Sequence, residues 1–206
     1  MSALSLRLDR PATAGAGRLI RCALVALAVS QLAGCAAAVI GAGATGVAVA
    51  HDRRTAGTMV EDQTLELKFG NLLSSQTALA ERTHVEANSY NRVLLLTGQA
   101  PDVQSRDAVV DIARKLENVR RIHNEITIAP PTSGGRRTND NYLTAKVKSK
   151  MAVTAGIDPT RVKAVTENGV VYLMGLVERE EGQRAIDVAR QTGGVAKVVV
   201  LFEYLD

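Results

Sequence analysis

The chain has 206 residues, with 25 basic and 21 acidic side chains, 46% apolar residues, two cysteines and no tryptophan. Its formal charge of +4 invites a nucleic-acid reading, yet Arg7, Arg10, Arg18, Arg21 and Asp9 all fall within the first 34 positions, leaving 21 basic against 20 acidic residues beyond them. That balance, with only two phenylalanines, supplies neither the basic face nor the stacking platforms of a nucleic-acid binder.

The chain opens as a secretory leader. Arg18 and Arg21 form its basic region, and Cys22 to Leu32 is an apolar stretch too short to cross a bilayer. Leu32-Ala33-Gly34-Cys35 then reads as a lipobox, the sequence cut by bacterial signal peptidase II before a cysteine that carries lipid. A signal anchor over the uncharged stretch Ala23 to Ala50 is the competing reading. Gly34, Gly41, Gly43 and Gly46 make that stretch a poor helix, and an anchor has no need of small residues directly before a cysteine. Residues 1–34 are therefore expected to be a lipoprotein signal peptide and Cys35 the lipidation site. Both cysteines lie in or at the edge of this leader, so no thiol remains downstream for zinc or disulfide chemistry.

Residues 35–60 read as the lipidated cysteine and a flexible tether. Gly41-Ala42-Gly43-Ala44-Thr45-Gly46 is a literal G-x-G-x-x-G, but no alternating βαβ chain follows it, and small residues serve a spacer equally well.

Beyond the tether the sequence repeats. His84 to Gly98 aligns without gaps on Arg161 to Gly175, with Val85/Val162, Ala87/Ala164, Asn91/Asn168, Val93/Val170, Leu96/Leu173 and Gly98/Gly175 coinciding. Asp111-Ile112-Ala113-Arg114 matches Asp187-Val188-Ala189-Arg190, and upstream Asp62, Leu65 and Lys68 match Asp140, Leu143 and Lys146. Each copy begins with a helix carrying one apolar stripe: Leu65, Phe69, Leu72 and Leu73, then Leu143, Val147 and Met151. Two β-branched runs follow, joined in the second copy by Asn168-Gly169, a type I′ hairpin signal. A second helix and a final strand, Ile122 to Ile128 or Val198 to Tyr204, close each copy in the order α-β-β-α-β. A hairpin pairs antiparallel and a helical crossover pairs parallel, so the expectation is an α/β (α+β) fold with a small mixed three-stranded sheet covered by two helices, built twice. The boundaries expected are 61–129 for the first domain, a Pro-, Gly- and Ser-rich linker at 130–139, and 140–206 for the second.

This α-β-β-α-β repeat resembles the BON domain, through the glycine that ends each second strand (Gly98, Gly175) and the turn before each last strand (Glu117-Asn118-Val119, Gly193-Gly194-Val195). Two such domains behind a lipobox, with the approach Asp52-Arg53-Arg54-Thr55-Ala56-Gly57-Thr58, resemble the dual BON-domain outer-membrane lipoproteins associated with the division site. The resemblance implies a triacylated, palmitate-bearing lipoprotein that is not an enzyme and needs no cofactor or metal. It implies anionic phospholipids (phosphatidylglycerol, cardiolipin) as partners through the second domain, a role in envelope integrity and stress response, and a link to the β-barrel assembly machinery. It also puts the lipid contact on the second domain's first helix, at an aromatic residue matched here by Tyr142. Ala36 follows Cys35 where an Asp would be the usual inner-membrane retention signal, which favours the outer membrane.

The residues of that helix agree. Taking it to begin at Tyr142, the 100° step gathers Tyr142, Lys146 and Ser149 on one face with Lys150 at its border, and residues 141 to 151 hold three lysines and no acid. The lipid-binding set is accordingly Tyr142, Leu143, Lys146, Ser149 and Lys150. The first domain's helix carries Glu61, Asp62 and Glu66 and reads as acidic. No catalytic set is found: His51, His84 and His123 share no ligand spacing, and Glu178-Arg179-Glu180-Glu181 reads as a helix cap. A protein-interaction adaptor, pairing through sheet edges with lipid contact incidental, stays open as the second function.

Overall fold

The computed structural model describes residues 52–205; the expected signal peptide 1–34, Cys35, the glycine motif at 41–46 and His51 lie outside the described residues. The first repeat runs α1 (Ala56–Ser75), a single turn α2 (Thr77–Ala80), β1 (His84–Tyr90), β2 (Val93–Ala100), α3 (Val103–Arg114) and β3 (Arg121–Ile128). The second runs α4 (Gly134–Val153), β4 (Val162–Glu167), β5 (Val170–Val177), α5 (Arg179–Arg190) and β6 (Lys197–Tyr204). In each sheet the second strand is central, antiparallel to the first and parallel to the third. These are the mixed three-stranded sheets that the hairpin and the crossover require.

Two helices start earlier than their apolar stripes suggest. α1 reaches back into the stretch read as tether because Thr55 caps it, its Oγ1 accepting the Thr58 N–H at 3.1 Å. α4 begins at Gly134, inside the stretch read as linker, so that Tyr142 sits in the third turn and not at the start. Glycine and arginine are weak start signals, and a tertiary tie overrides them: Arg136 donates to the Asn168 side chain at 3.0 Å.

One face of each sheet carries the expected core. Leu65, Phe69 and Leu73 of α1 and Val109, Ile112 and Ala113 of α3 pack on Leu94 and Leu96. In the second repeat Val147 and Met151 of α4 and Ala185, Ile186 and Ala189 of α5 pack on Val171, Leu173 and Val177. The opposite faces meet each other: Tyr90, Val93 and Leu95 of the first sheet form one buried cluster with Tyr172 and Met174 of the second. β2 is buried along its whole length as a result. Runs such as Val93-Leu94-Leu95-Leu96 are apolar at both parities because both faces are covered. Polar groups at the junction are paired. Tyr90 Oη donates to the Arg161 carbonyl at 3.1 Å, Gln99 Nε2 to Glu167 Oε1 at 2.6 Å, and Arg120 to the Glu203 carboxylate at 3.1 Å. Burial pushes the Tyr90 and Tyr172 hydroxyls up to about 12, which keeps both neutral.

The residues shared by the two repeats hold the hairpins. Asp62 and Asp140 are 2% and 4% exposed. Asp140 accepts the Asn168 and Gly169 N–H groups at 2.8 and 2.9 Å. Asp62 accepts those of Asn91 and Arg92 at 2.8 and 2.7 Å, and the Ser89 hydroxyl at 2.7 Å. Both central turn residues have positive φ in each hairpin, which is the type I′ geometry. Gly98 and Gly175 mark close backbone approach: a Cβ would lie 1.9 Å from the His84 carbonyl oxygen at the first and 2.5 Å from that of Arg161 at the second.

Candidate functional site

α4 is fixed from below and open above. Leu143, Val147 and Met151 are buried, Asp140 grips the hairpin turn, and Thr144 donates to Thr166 at 2.8 Å. The outer face carries Tyr142, 63% exposed, and Ser149, also exposed. Between them Lys146 Nζ stands 5.9 Å from the Tyr142 ring centroid and donates to the Gly193 carbonyl at 2.9 Å. Lys150 Nζ reaches the Gln191 carbonyl at 3.4 Å. Both ammonium groups therefore rest on the carbonyls just past the end of α5, where a helix terminus favours cations. The pair is half-buried and pre-positioned, with the positive charge held at the foot of the tyrosine ring.

Leu143 is corrected. At 3% exposure it belongs to the core, packed so tightly on Gly194 that a Cβ there would lie 2.7 Å from its Cδ2, and it presents nothing to a surface. Val153, in contrast, was missed: it is 85% exposed, and at eleven residues from Tyr142 it returns to within about 20° of the same stripe. Extending the i, i+4, i+7 pattern by one turn would have found it. The site is thus an exposed stripe with an aromatic ring at one end, an apolar side chain at the other and lysines between.

The matching face of α1 differs from its sequence reading. Asp62 is buried on its turn, Glu66 pairs with Lys163 of β4 and accepts the Ser89 N–H, and Glu61 lies 3.8 Å from Arg92. Its acids are committed to partners, so α1 carries no free acidic face. What it lacks is the ring and the second lysine, with Thr64 and Leu72 at the positions of Tyr142 and Lys150, while Lys68 keeps the cation at that of Lys146.

Glu178-Arg179-Glu180-Glu181 does open a helix: Glu178 is the N-cap of α5, and Glu180 and Glu181 lie in its first turn, where acids suit the helix dipole. The Glu178 side chain, however, makes no capping hydrogen bond. Instead it accepts from Arg53 at 2.8 Å, and the buried Glu181 accepts from Arg53 at 2.8 Å as well. Arg53 additionally donates to the Leu176 carbonyl at 3.0 Å. The neighbouring Arg54 binds Asp52 and Asp62 and lies 3.8 Å over the Tyr90 ring. Consecutive arginines thus hold different domains, and the segment before α1 straps the two together. Among the described residues no cluster of histidine, cysteine and carboxylate side chains could hold a metal, and no helix is long and apolar enough to cross a membrane.

With this geometry in place, comparison with known proteins is decisive. The BON domain family matches residues 61–130 and again 139–206. The chain belongs to the BON-domain family. It is 41% identical to the outer membrane lipoprotein DolP of Haemophilus influenzae over 175 residues, covering 85% of this chain and 91% of that protein. It is 34% identical to the 21 kDa hemolysin of Actinobacillus pleuropneumoniae over 154 residues, covering 75% of this chain and 79% of that one. The protein is a dual-BON lipoprotein of the outer membrane, held there by a lipid anchor.

Proposed function

We propose that the protein is attached through Cys35 and lays the α4 face on anionic phospholipid, with Tyr142 and Val153 entering the interface and Lys146 and Lys150 meeting the headgroups. The carrying observation is the exposed Tyr142 ring with the Lys146 ammonium held beside it. An aromatic ring with a polar tip suits the boundary between headgroup and acyl chain, and each cation near an anionic surface contributes about 1 kcal/mol. One such patch is marginal alone, but an acyl anchor converts it into an intramolecular contact at high effective concentration. The protein acts here without catalysis, and the family resemblance adds the role in envelope integrity and its link to the division site and to β-barrel assembly.

The test is co-sedimentation of the soluble fragment 52–206 with phosphatidylglycerol or cardiolipin vesicles. Tyr142→Ala and Lys146→Glu should each weaken binding, the charge reversal by roughly thirtyfold. Wild-type affinity in both variants would remove the proposal. The adaptor reading is favoured by one further observation, the apolar edge of the second sheet.

A further inference from the structure

β6 pairs on one side only, with β5, among the described residues. Val198-Val199-Val200-Leu201-Phe202 places five apolar residues in that edge strand with no charge, proline or glycine. β3 occupies the same place in the first sheet and carries Arg121, His123, Asn124 and Glu125, residues of the kind that keep an edge from recruiting another strand. The other two edges are interrupted by charge, β1 by Glu86 and β4 by Lys163 and Glu167. Among the four edge strands of the described residues only β6 has an uninterrupted apolar run, and Val200 and Tyr204 on it are more than a third exposed.

A cleft of about 240 Å³ lies against this strand, walled by Val93, Arg121 and His123 from the first domain and by Val200, Leu201 and Phe202 from the second. Arg120 at its rim is committed to Glu203, whereas Arg121 is exposed. We propose that β6 is the docking edge for an extended, acidic segment of a partner protein, which adds as a fourth strand to the second sheet and sets an apolar side chain in the cleft beside Arg121. Main-chain pairing to the strand supplies the affinity, and alternate side chains of the guest meet the cleft. Glu203 in the cleft wall offsets Arg120, so the net charge beside the docked strand comes from Arg121, which selects an acidic guest by charge complementarity. A second copy of this chain fits less well, since it brings a second Arg121 to the first. This surface lies on β6 and its cleft, apart from the α4 stripe, and does not depend on lipid binding.

Fluorescence anisotropy on the full-length lipoprotein in detergent micelles tests it, using a short labelled peptide that alternates valine with threonine and carries two aspartates. Saturable binding is expected, abolished when alternate peptide amides are N-methylated and weakened when lysine replaces the aspartates. Val200→Lys should weaken binding roughly fivefold, the value of about one good cross-strand pair, and Arg121→Glu should reverse the preference between the acidic and basic peptides. Arg121 is exposed, so that variant keeps the test decisive if Val200→Lys lowers the thermal midpoint. No saturable binding, equal binding of the N-methylated peptide, or spontaneous disulfide-linked dimers of Val200→Cys would overturn the proposal.

Discussion

The two domains share a skeleton and differ in what they turn outward. In both, a buried aspartate on the first helix holds a left-handed hairpin turn, a glycine lets two strands touch, and two helices cover one sheet face. The first domain commits the acids of its first helix: Asp62 binds backbone, Glu66 binds the Ser89 N–H and Lys163 of the second domain, and its edge strand β3 is guarded by polar side chains. The second leaves an aromatic and cationic helix face and an apolar edge strand open. One sequence repeat therefore yields a supporting module and a surface-presenting one, and the division of labour lies in exposed positions that the repeat does not share.

The largest test of the shared skeleton removes its clamps. Asp140→Ala leaves two turn N–H groups unpaired in a buried site and should cost about 3 kcal/mol in urea unfolding. Asp62→Ala also strands the Ser89 hydroxyl and removes one of the two carboxylates that hold Arg54, and should cost more; an equal or smaller loss would break the comparison. The strap comes next. Arg53→Ala deprives the buried Glu181 of its nearest cation, although Arg161 remains 3.6 Å away. We expect a loss of about 2 kcal/mol, with faster amide hydrogen exchange at the start of α5. Protection unchanged there would show that the segment does not hold the second domain.

A smaller effect runs the other way. Arg92 sits at φ 61° where the second domain has Gly169 at φ 76°. An L-residue pays about 1 kcal/mol for that conformation, so Arg92→Gly should stabilise the first domain by about that amount, measured as a higher urea midpoint. Destabilisation would mean that the weak pair with Glu61 outweighs the strain.

The skeleton was legible because it is periodic and repeated. Coincident Asn and Gly positions in the gapless stretch from His84 to Gly98 and from Arg161 to Gly175 mark the hairpins, and the Asn168-Gly169 pair names the turn type in the second. The sheet-to-sheet junction is also written in the chain, in strands apolar at both parities, whereas two helices over a small sheet account for one covered face alone. The start of α4 was hidden because Gly134-Gly135 signals a loop, and only the contact of Arg136 with Asn168 opposes that signal. At the site, helical periodicity placed Tyr142, Lys146, Ser149 and Lys150 correctly on the outside. It also marked Leu143 as core, as burial requires. What spacing could not reveal is that the lysines lean on the end of α5, since that depends on a helix forty residues away in sequence.

The most direct measurement of the central claim follows backbone amide shifts of the isotope-labelled fragment 52–206 as phosphatidylglycerol micelles are added. Tyr142, Lys146, Ser149 and Val153 are expected to move first, while Thr64 and Lys68 at the matching face of α1 stay in place. First movement on α1, or equal movement on both helices, would contradict that claim.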